Sequence, residues 1–281
     1  MSSPKRLRLD EIGYWSEVKL DIIRRYASAY STILSAQTSP PFHHVYIDAF
    51  AGAGQHVLKD SGATVEGSPL IAVTTQPPFK EYHFIDLNEV KVDNLKTLLA
   101  GYPNVTIYHG DCNRVLLDKV FPQVQFSDYR RGLCLLDPYG LHLNWEVIRM
   151  AGESKTLDVF LNFPIADMNR NVFWRNPDGV DVRDVARMDA FWGDQSWRSV
   201  AYTKVPTLFG DEDEKTDNEY IAAAFRERLM KKAGFANVPE PIPMRNRTGA
   251  IVYYLFFASP RPVAQKIVSE IFDTYRNCGG K

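Results

Sequence analysis

Cysteine is scarce in this chain: Cys112, Cys134 and Cys278 are three in 281 residues, an odd number at spacings that match no zinc ligand set. That argues against a disulfide scaffold and against a structural metal, and a reduced compartment is expected. Cys134 sits within an apolar run and belongs with the core. Long apolar runs are also missing, since none approaches the ~20 residues needed to cross a bilayer. Met1 to Asp10 is basic and no apolar signal region follows it, so the expectation is a cytoplasmic protein with no membrane partner. Nor does one sign of charge dominate. The 33 Lys and Arg against 34 Asp and Glu leave −1, with a pI near 6.6, unlike a surface built to coat long stretches of duplex phosphate. A more local contact with nucleic acid stays open. The basic clusters at Lys5, Arg6 and Arg8, at Arg24 and Arg25, at Arg130 and Arg131, and at Lys231 and Lys232 read as solvated helix ends or turns. Internal repeats and low-complexity linkers are absent as well, which favours one domain over residues 1–281.

What is present begins with Val45-Tyr46-Ile47-Asp48-Ala49-Phe50-Ala51-Gly52-Ala53-Gly54, a buried strand running into a glycine turn. The two glycines let backbone approach a ligand with no Cβ in the way. A dinucleotide pyrophosphate is usually held by G-x-G-x-x-G with a helix N-terminus directly behind it. Here the third glycine is missing, and Gln55 to Gly67 reads as loop. The helix signal comes later, with Ser68 as N-cap, Pro69 in the first turn, and Leu70 to Val73 following. The pattern Asp-x-Phe-Ala-Gly-x-Gly resembles the first motif of class I S-adenosylmethionine-dependent methyltransferases. That resemblance implies S-adenosylmethionine as cofactor, held near Asp48, Phe50, Gly52, Gly54 and Ser68.

Beyond this turn the elements alternate. Expected strands are Glu81 to Asp86, Val105 to Tyr108, Leu133 to Leu136 and Leu157 to Asn162. Expected helices are Glu89 to Ala100, Asn113 to Val120 and Trp145 to Met150. An N-terminal helix falls within 11–36, where Val18, Ile22, Tyr26, Ala29 and Ile33 keep near-helical spacing. Asp217 to Ala233 reads as a helix, Ile242 to Asn246 and Ile251 to Ala258 as a hairpin about Arg247-Thr248-Gly249, and Pro262 to about Tyr275 as a final helix. The expected fold class is α/β, a doubly wound, mostly parallel seven-stranded sheet of class I methyltransferase type with an antiparallel C-terminal hairpin strand. Residues 165–215 form an insertion of about fifty residues, a length that is functional or disordered in most proteins. Its Phe173, Trp174, Phe191, Trp192, Trp197, Tyr202 and Phe209, interleaved with Arg170, Arg175, Arg183, Arg187, Arg198 and Lys204, argue for order. Two compatible expectations are a mainly helical cap with its own small core and a substrate lid over the carboxyl edge of the sheet.

Acidic residues recur at the strand ends. Asp86, before Leu87 and Asn88, is placed to accept hydrogen bonds from a ribose diol, or else to cap the next helix. Asp111 and Cys112 offer a second acid and a backbone amide at the same edge, which class I methyltransferases use for the adenine amine and ring; Asp111 could equally cap a helix. Asp137-Pro138-Tyr139-Gly140 holds a carboxylate and a ring rigidly at the fourth strand end, since proline fixes one backbone dihedral. It resembles the Asp-Pro-aromatic motifs of enzymes that methylate exocyclic amines of nucleobases. By that likeness Asp137, Pro138 and Tyr139 are the catalytic candidates, with Asp137 accepting a hydrogen bond from the amine or taking its proton, and RNA or DNA as substrate. The second proline of the related motif is absent and the aromatic stands one place early. The alternative is a plain turn after a buried strand.

As an ordered set, Tyr46 to Gly54, Glu66-Gly67-Ser68-Pro69, Asp137 to Gly140, Asn162-Phe163-Pro164, Tyr253 to Phe257, and an N-terminal helix with Trp15 and Lys19 resemble the bacterial three-Cys-motif partner proteins. The likeness spans nearly the whole chain. It implies a methyltransferase-like fold and a separate three-cysteine-motif protein as partner. It also leaves room for a non-catalytic or regulatory role.

Overall fold

The computed structural model describes residues 7–208 and 210–276. Lys5, Arg6, Phe209 and Cys278 lie outside the described residues.

A short strand β1 (Asp10–Ile12) leads into the 22-residue helix α1 (Tyr14–Ser35). The helix buries Leu20, Ile23, Ala27 and Tyr30 in one stripe at spacings of three and four, the mark of a helix lying on a sheet. Strand β2 (His43–Asp48) is buried at every position after the first, as a central parallel strand with both faces covered must be. Val45 and Ile47 point to one side of the sheet and Tyr46 to the other, seeding two separate cores. The stretch after the glycine turn, expected as loop, instead forms the hairpin β3 (Gln55–Leu58) and β4 (Thr64–Glu66). Strand β1 pairs in parallel with β3, so backbone from 46 residues upstream satisfies an edge that the local sequence does not reveal.

The helix α2 (Ser68–Thr74) is capped at Gly67, so Ser68 is its first residue and not its N-cap. Then follow β5 (Glu81–Asp86), α3 (Glu89–Leu98), β6 (Val105–His109) and α4 (Cys112–Val115), which continues as a π turn through Val120. Asn88 caps α3 by accepting from the amides of Val90 and Lys91. Next come β7 (Arg130–Leu136), α5 (Trp145–Ser154) and β8 (Leu157–Phe163).

The insertion is mainly helical as expected, with α6 (Ile165–Asn171), α7 (Val182–Trp192) and α8 (Trp197–Ala201), and ends in a hairpin that the sequence did not announce. Strands β9 (Tyr202–Thr207) and β10 (Gly210–Lys215) form an antiparallel hairpin, with Lys204 opposite Asp213 at 2.9 Å. The signal was weak because β10 is largely exposed and lacks polar-apolar alternation. The chain closes with α9 (Asn218–Lys231), β11 (Ile242–Arg245), β12 (Ile251–Ala258) and α10 (Pro262–Arg276).

The main sheet runs β11-β12-β8-β7-β2-β5-β6, with β12 antiparallel to both neighbours and the remaining pairs parallel. A reversed last strand inserted between the fifth and sixth is the order that defines the class I methyltransferase fold. Phe191 and Trp192 of α7 pack on Phe225 at 5.7 and 5.4 Å between centroids, and Phe225 packs on Phe163 of β8 at 4.6 Å. The insertion's buried aromatics thus extend the core on one face of the sheet and do not close a small core of their own. Among the described residues no helix is long and apolar enough to cross a membrane.

Candidate functional site at the carboxyl edge

Between β2 and β7 the chain order reverses, so the loops leaving their carboxyl ends diverge and open a crevice. Asp48 ends β2 and Asp137 follows β7 beside it. The Asp48 carboxylate is 1% exposed; it accepts from the amide of Phe50 at 3.1 Å and from the hydroxyl of Ser68 at 2.5 Å. Burial pushes its pKa up to about 6 against those two hydrogen bonds. The turn behind it is left-handed at Gly52 (φ +63°) and Gly54 (φ +82°). Gly52 donates its N–H to Asp86 at 2.9 Å, and the other Asp86 oxygen takes the amide of Asn88 at 2.7 Å. The acid that ends β5 therefore pins the glycine turn of β2.

The two glycines serve different ends. A Cβ on Gly54 would strike Leu95 and Leu98 at 2.9 and 3.0 Å, so this glycine permits α3 to pack. Among the described residues a Cβ on Gly52 would meet nothing nearer than Asp10 at 4.0 Å, and Gly52 lines a hollow of about 250 Å³. The hollow's floor includes Asp48, Gly52 and Asp137; its roof is Lys19 and Leu20 of α1 together with β1. Among the described residues none from 165–215 lines it; the residues over it come from the N-terminal segment.

Asp137 is engaged on both oxygens: one takes the Lys19 ammonium, the other the amide of Asn162 at 2.8 Å. Lys19 also lies 5.7 Å from the centre of the Tyr253 ring. Asn162 Oδ1 is buried with no hydrogen-bond partner among the described residues, as is His56 Nδ1. Burial, with Lys19 nearby, holds the His56 imidazole below its usual pKa and so neutral at pH 7. Tyr139 stands at the mouth. Its hydroxyl donates to Asp10 at 2.9 Å, and Lys91 bonds the same Asp10 carboxylate at 2.6 Å. Beyond that bridge an open groove of about 860 Å³ runs past Asp86, Leu87 and His109, with Leu87 71% exposed.

The fold brings Asp48, Phe50, Gly52, Ser68, Asp137, Pro138 and Tyr139 to the hollow, and Asp86 and Leu87 to the adjoining groove. Gly54, Asp111 and Cys112 line neither. Asp111 caps α4 through the Arg114 amide at 3.1 Å, and burial, reinforced by Asp111, pushes the Cys112 thiol up to about 12. Sequence reasoning missed Asp10, His56 and Lys91. Asp10 meets Tyr139 across 129 positions, and no periodicity signals that.

Strand order and the pinned turn together place the chain in the methyltransferase-like fold class. No family model matches the chain, and no curated protein does. Among solved structures, protein LPL1258 from Legionella pneumophila is 14% identical, with 93% of this chain and 94% of that one covered and a TM-score of 0.49. The N-terminal domain of EvdMO1, solved in the presence of SAH and D-fucose, is 13% identical over 84% of this chain and 82% of that one, TM-score 0.40. DszA carbon methyltransferase is 12% identical over 87% of this chain and 54% of that one, TM-score 0.43. These are distant likenesses, and the fold assignment rests on the strand order itself.

Proposed function

We propose that the chain binds S-adenosylmethionine across the Gly52 turn and directs its methyl group to a nucleophile held against Asp137 and Tyr139. The observation that carries this reading is Gly52, left-handed, at the wall of the hollow, with no described atom nearer than Asp10 at 4.0 Å to where its Cβ would stand. Bound there, S-adenosylmethionine supplies a methyl group on a sulfonium, a strong electrophile with a neutral thioether as leaving group. The chain's own part is to bind, orient and exclude water. Asp86 keeps lone pairs for a ribose diol beyond the two backbone bonds it already accepts. Leu87 offers an apolar face to the adenine, with Asp111 and Cys112 one strand further along for its amine and ring edge. Asp48, buried and anchored to Ser68, holds the turn and sets negative charge near the cationic end of the cofactor.

For the acceptor, the reading is an exocyclic amine of a nucleobase in RNA or DNA. Asp137, held by Lys19 and Asn162, has acceptor capacity left for an amine hydrogen, and the exposed Tyr139 ring provides a stacking face. One observation favours a second reading, a cofactor-binding partner of a three-cysteine-motif protein with no transfer of its own. The Lys19 ion pair already occupies the carboxylate on which the amine would depend. Labelled methyl transfer to mixed cellular RNA, DNA and protein, run on the wild type and Asp137→Ala, separates them. The enzyme reading expects label in nucleic acid, lost in the variant while S-adenosylhomocysteine still binds. Binding without any transfer by the wild type supports the partner reading, and loss of binding together with transfer contradicts the role given to Asp137.

A further inference from the structure

A second built cavity, of about 360 Å³, lies at the opposite edge of the sheet, where β7 and β8 begin and β12 ends. Its apolar walls come from α1 and α10, chiefly Tyr30, Leu34, Ala264 and Ile267. Into this setting the start of β7 places Arg131, which is only 8% exposed. A guanidinium on so enclosed a side chain ordinarily has a carboxylate partner, and here its unbonded nitrogens open onto the cavity instead. Among the described residues Arg131 has no carboxylate within ion-pairing distance, and its guanidinium makes one hydrogen bond, from Nη1 to the carbonyl of Arg130 at 2.6 Å. Its guanidinium lies 4.8 Å from the centre of the Phe42 ring and 4.1 Å from that of Phe126. Stacking occupies the flat faces and leaves the in-plane N–H groups for an anion, the arrangement in which arginine binds carboxylates bidentately.

Two further features add to it. Arg261, at the same cavity and also without a carboxylate within ion-pairing distance among the described residues, lies 5.9 Å from the Phe126 ring. Helix α10, 15 residues long, starts here, so its first-turn N–H groups point the positive end of its dipole the same way. The one acid is Asp158, tied to Tyr26 at 2.6 Å and to Ser259 at 2.5 Å. Two guanidiniums against one carboxylate leave a single positive charge uncompensated. Cavity size, apolar walls and that one charge together describe the complement of a small amphipathic monoanion.

We propose that this cavity is a second ligand site, distinct from the carboxyl-edge hollow, that takes a monocarboxylate with an apolar body, its carboxylate on Arg131 and Arg261 and its body between α1 and α10. Titration calorimetry of the full chain with sodium octanoate and with octanamide, its neutral counterpart, tests the claim. Octanoate should bind about tenfold or more tightly than octanamide, and Arg131→Gln and Arg261→Gln should each weaken octanoate by about tenfold. Arg261 is exposed, so its variant keeps the test valid should Arg131→Gln fail to fold. S-adenosylhomocysteine binding should be unchanged in Arg261→Gln. Equal affinity for acid and amide, octanoate binding unaltered in Arg261→Gln, or no octanoate binding by the wild type would overturn the proposal.

Discussion

Replacing Gly52 with alanine separates ligand binding from stability. At φ +63° an alanine carries the left-handed penalty of about 1–2 kcal/mol, partly offset by the smaller entropy of its unfolded state, about 0.4–1 kcal/mol. Among the described residues the new Cβ meets no atom closer than 4.0 Å, so packing adds nothing further. The net loss is about 1 kcal/mol, a fall in Tm of about 2–4 °C for a chain of this size. The same methyl group enters the hollow where the cofactor would lie, and filling a fitted site by one methyl costs about 1–3 kcal/mol, or roughly ten- to hundredfold in affinity. Gly54→Ala inverts this: its Cβ collides with Leu95 and Leu98, so stability should fall by about 2–4 kcal/mol. Urea denaturation and calorimetry with S-adenosylhomocysteine on both variants read the two effects. Wild-type affinity in Gly52→Ala would refute the placement of the ligand.

Lys19→Met keeps the buried stem of the side chain and removes the charge on Asp137, whose own side chain is 38% exposed. A double-mutant cycle with Asp137→Asn should therefore give a modest coupling of about 1 kcal/mol, reduced by solvent screening, and zero coupling would remove the ion pair from the account. Asp48 has a folded pKa of about 6 against 3.8, so the folded state binds its proton the more tightly. The resulting stability is complete below pH 4 and lost as pH rises through 6. Denaturation at pH 4 and pH 7 should show the wild type losing about 3 kcal/mol relative to Asp48→Asn, and parallel profiles would contradict the assignment. Phe225→Ala, at the junction of insertion and sheet, should cost about 3–5 kcal/mol and alter Trp192 fluorescence. A loss below about 1 kcal/mol would mean that the insertion is not part of the main core.

Most of the sheet was legible because its strands are buried on both faces and read as apolar runs. Expected bounds match the observed ones to the residue for Glu81–Asp86 and Ile251–Ala258. The antiparallel pairing of β11 with β12 followed from the short turn about Gly249. Illegible were elements stabilised from afar. Strand β3 pairs with β1 from far up the chain as well as with β4, and β9 and β10 are joined by their backbone ladder with little burial. At the site, strand-end acids were legible because any carboxylate closing a parallel strand arrives at the same edge. Their partners were not: Ser68 looked like a helix cap and serves Asp48, and Lys19 reaches Asp137 across 118 positions. The insertion's aromatics signalled order, yet composition alone could not tell rings that face a ligand from rings that finish a core.

The most direct measurement is a crystal structure of the protein grown with saturating S-adenosylhomocysteine. The account predicts the ribose hydroxyls on Asp86, the backbone of Gly52 against the ligand, and the thioether sulfur in the hollow beside Asp137. Ligand bound elsewhere, or a hollow still empty at saturation, would contradict it.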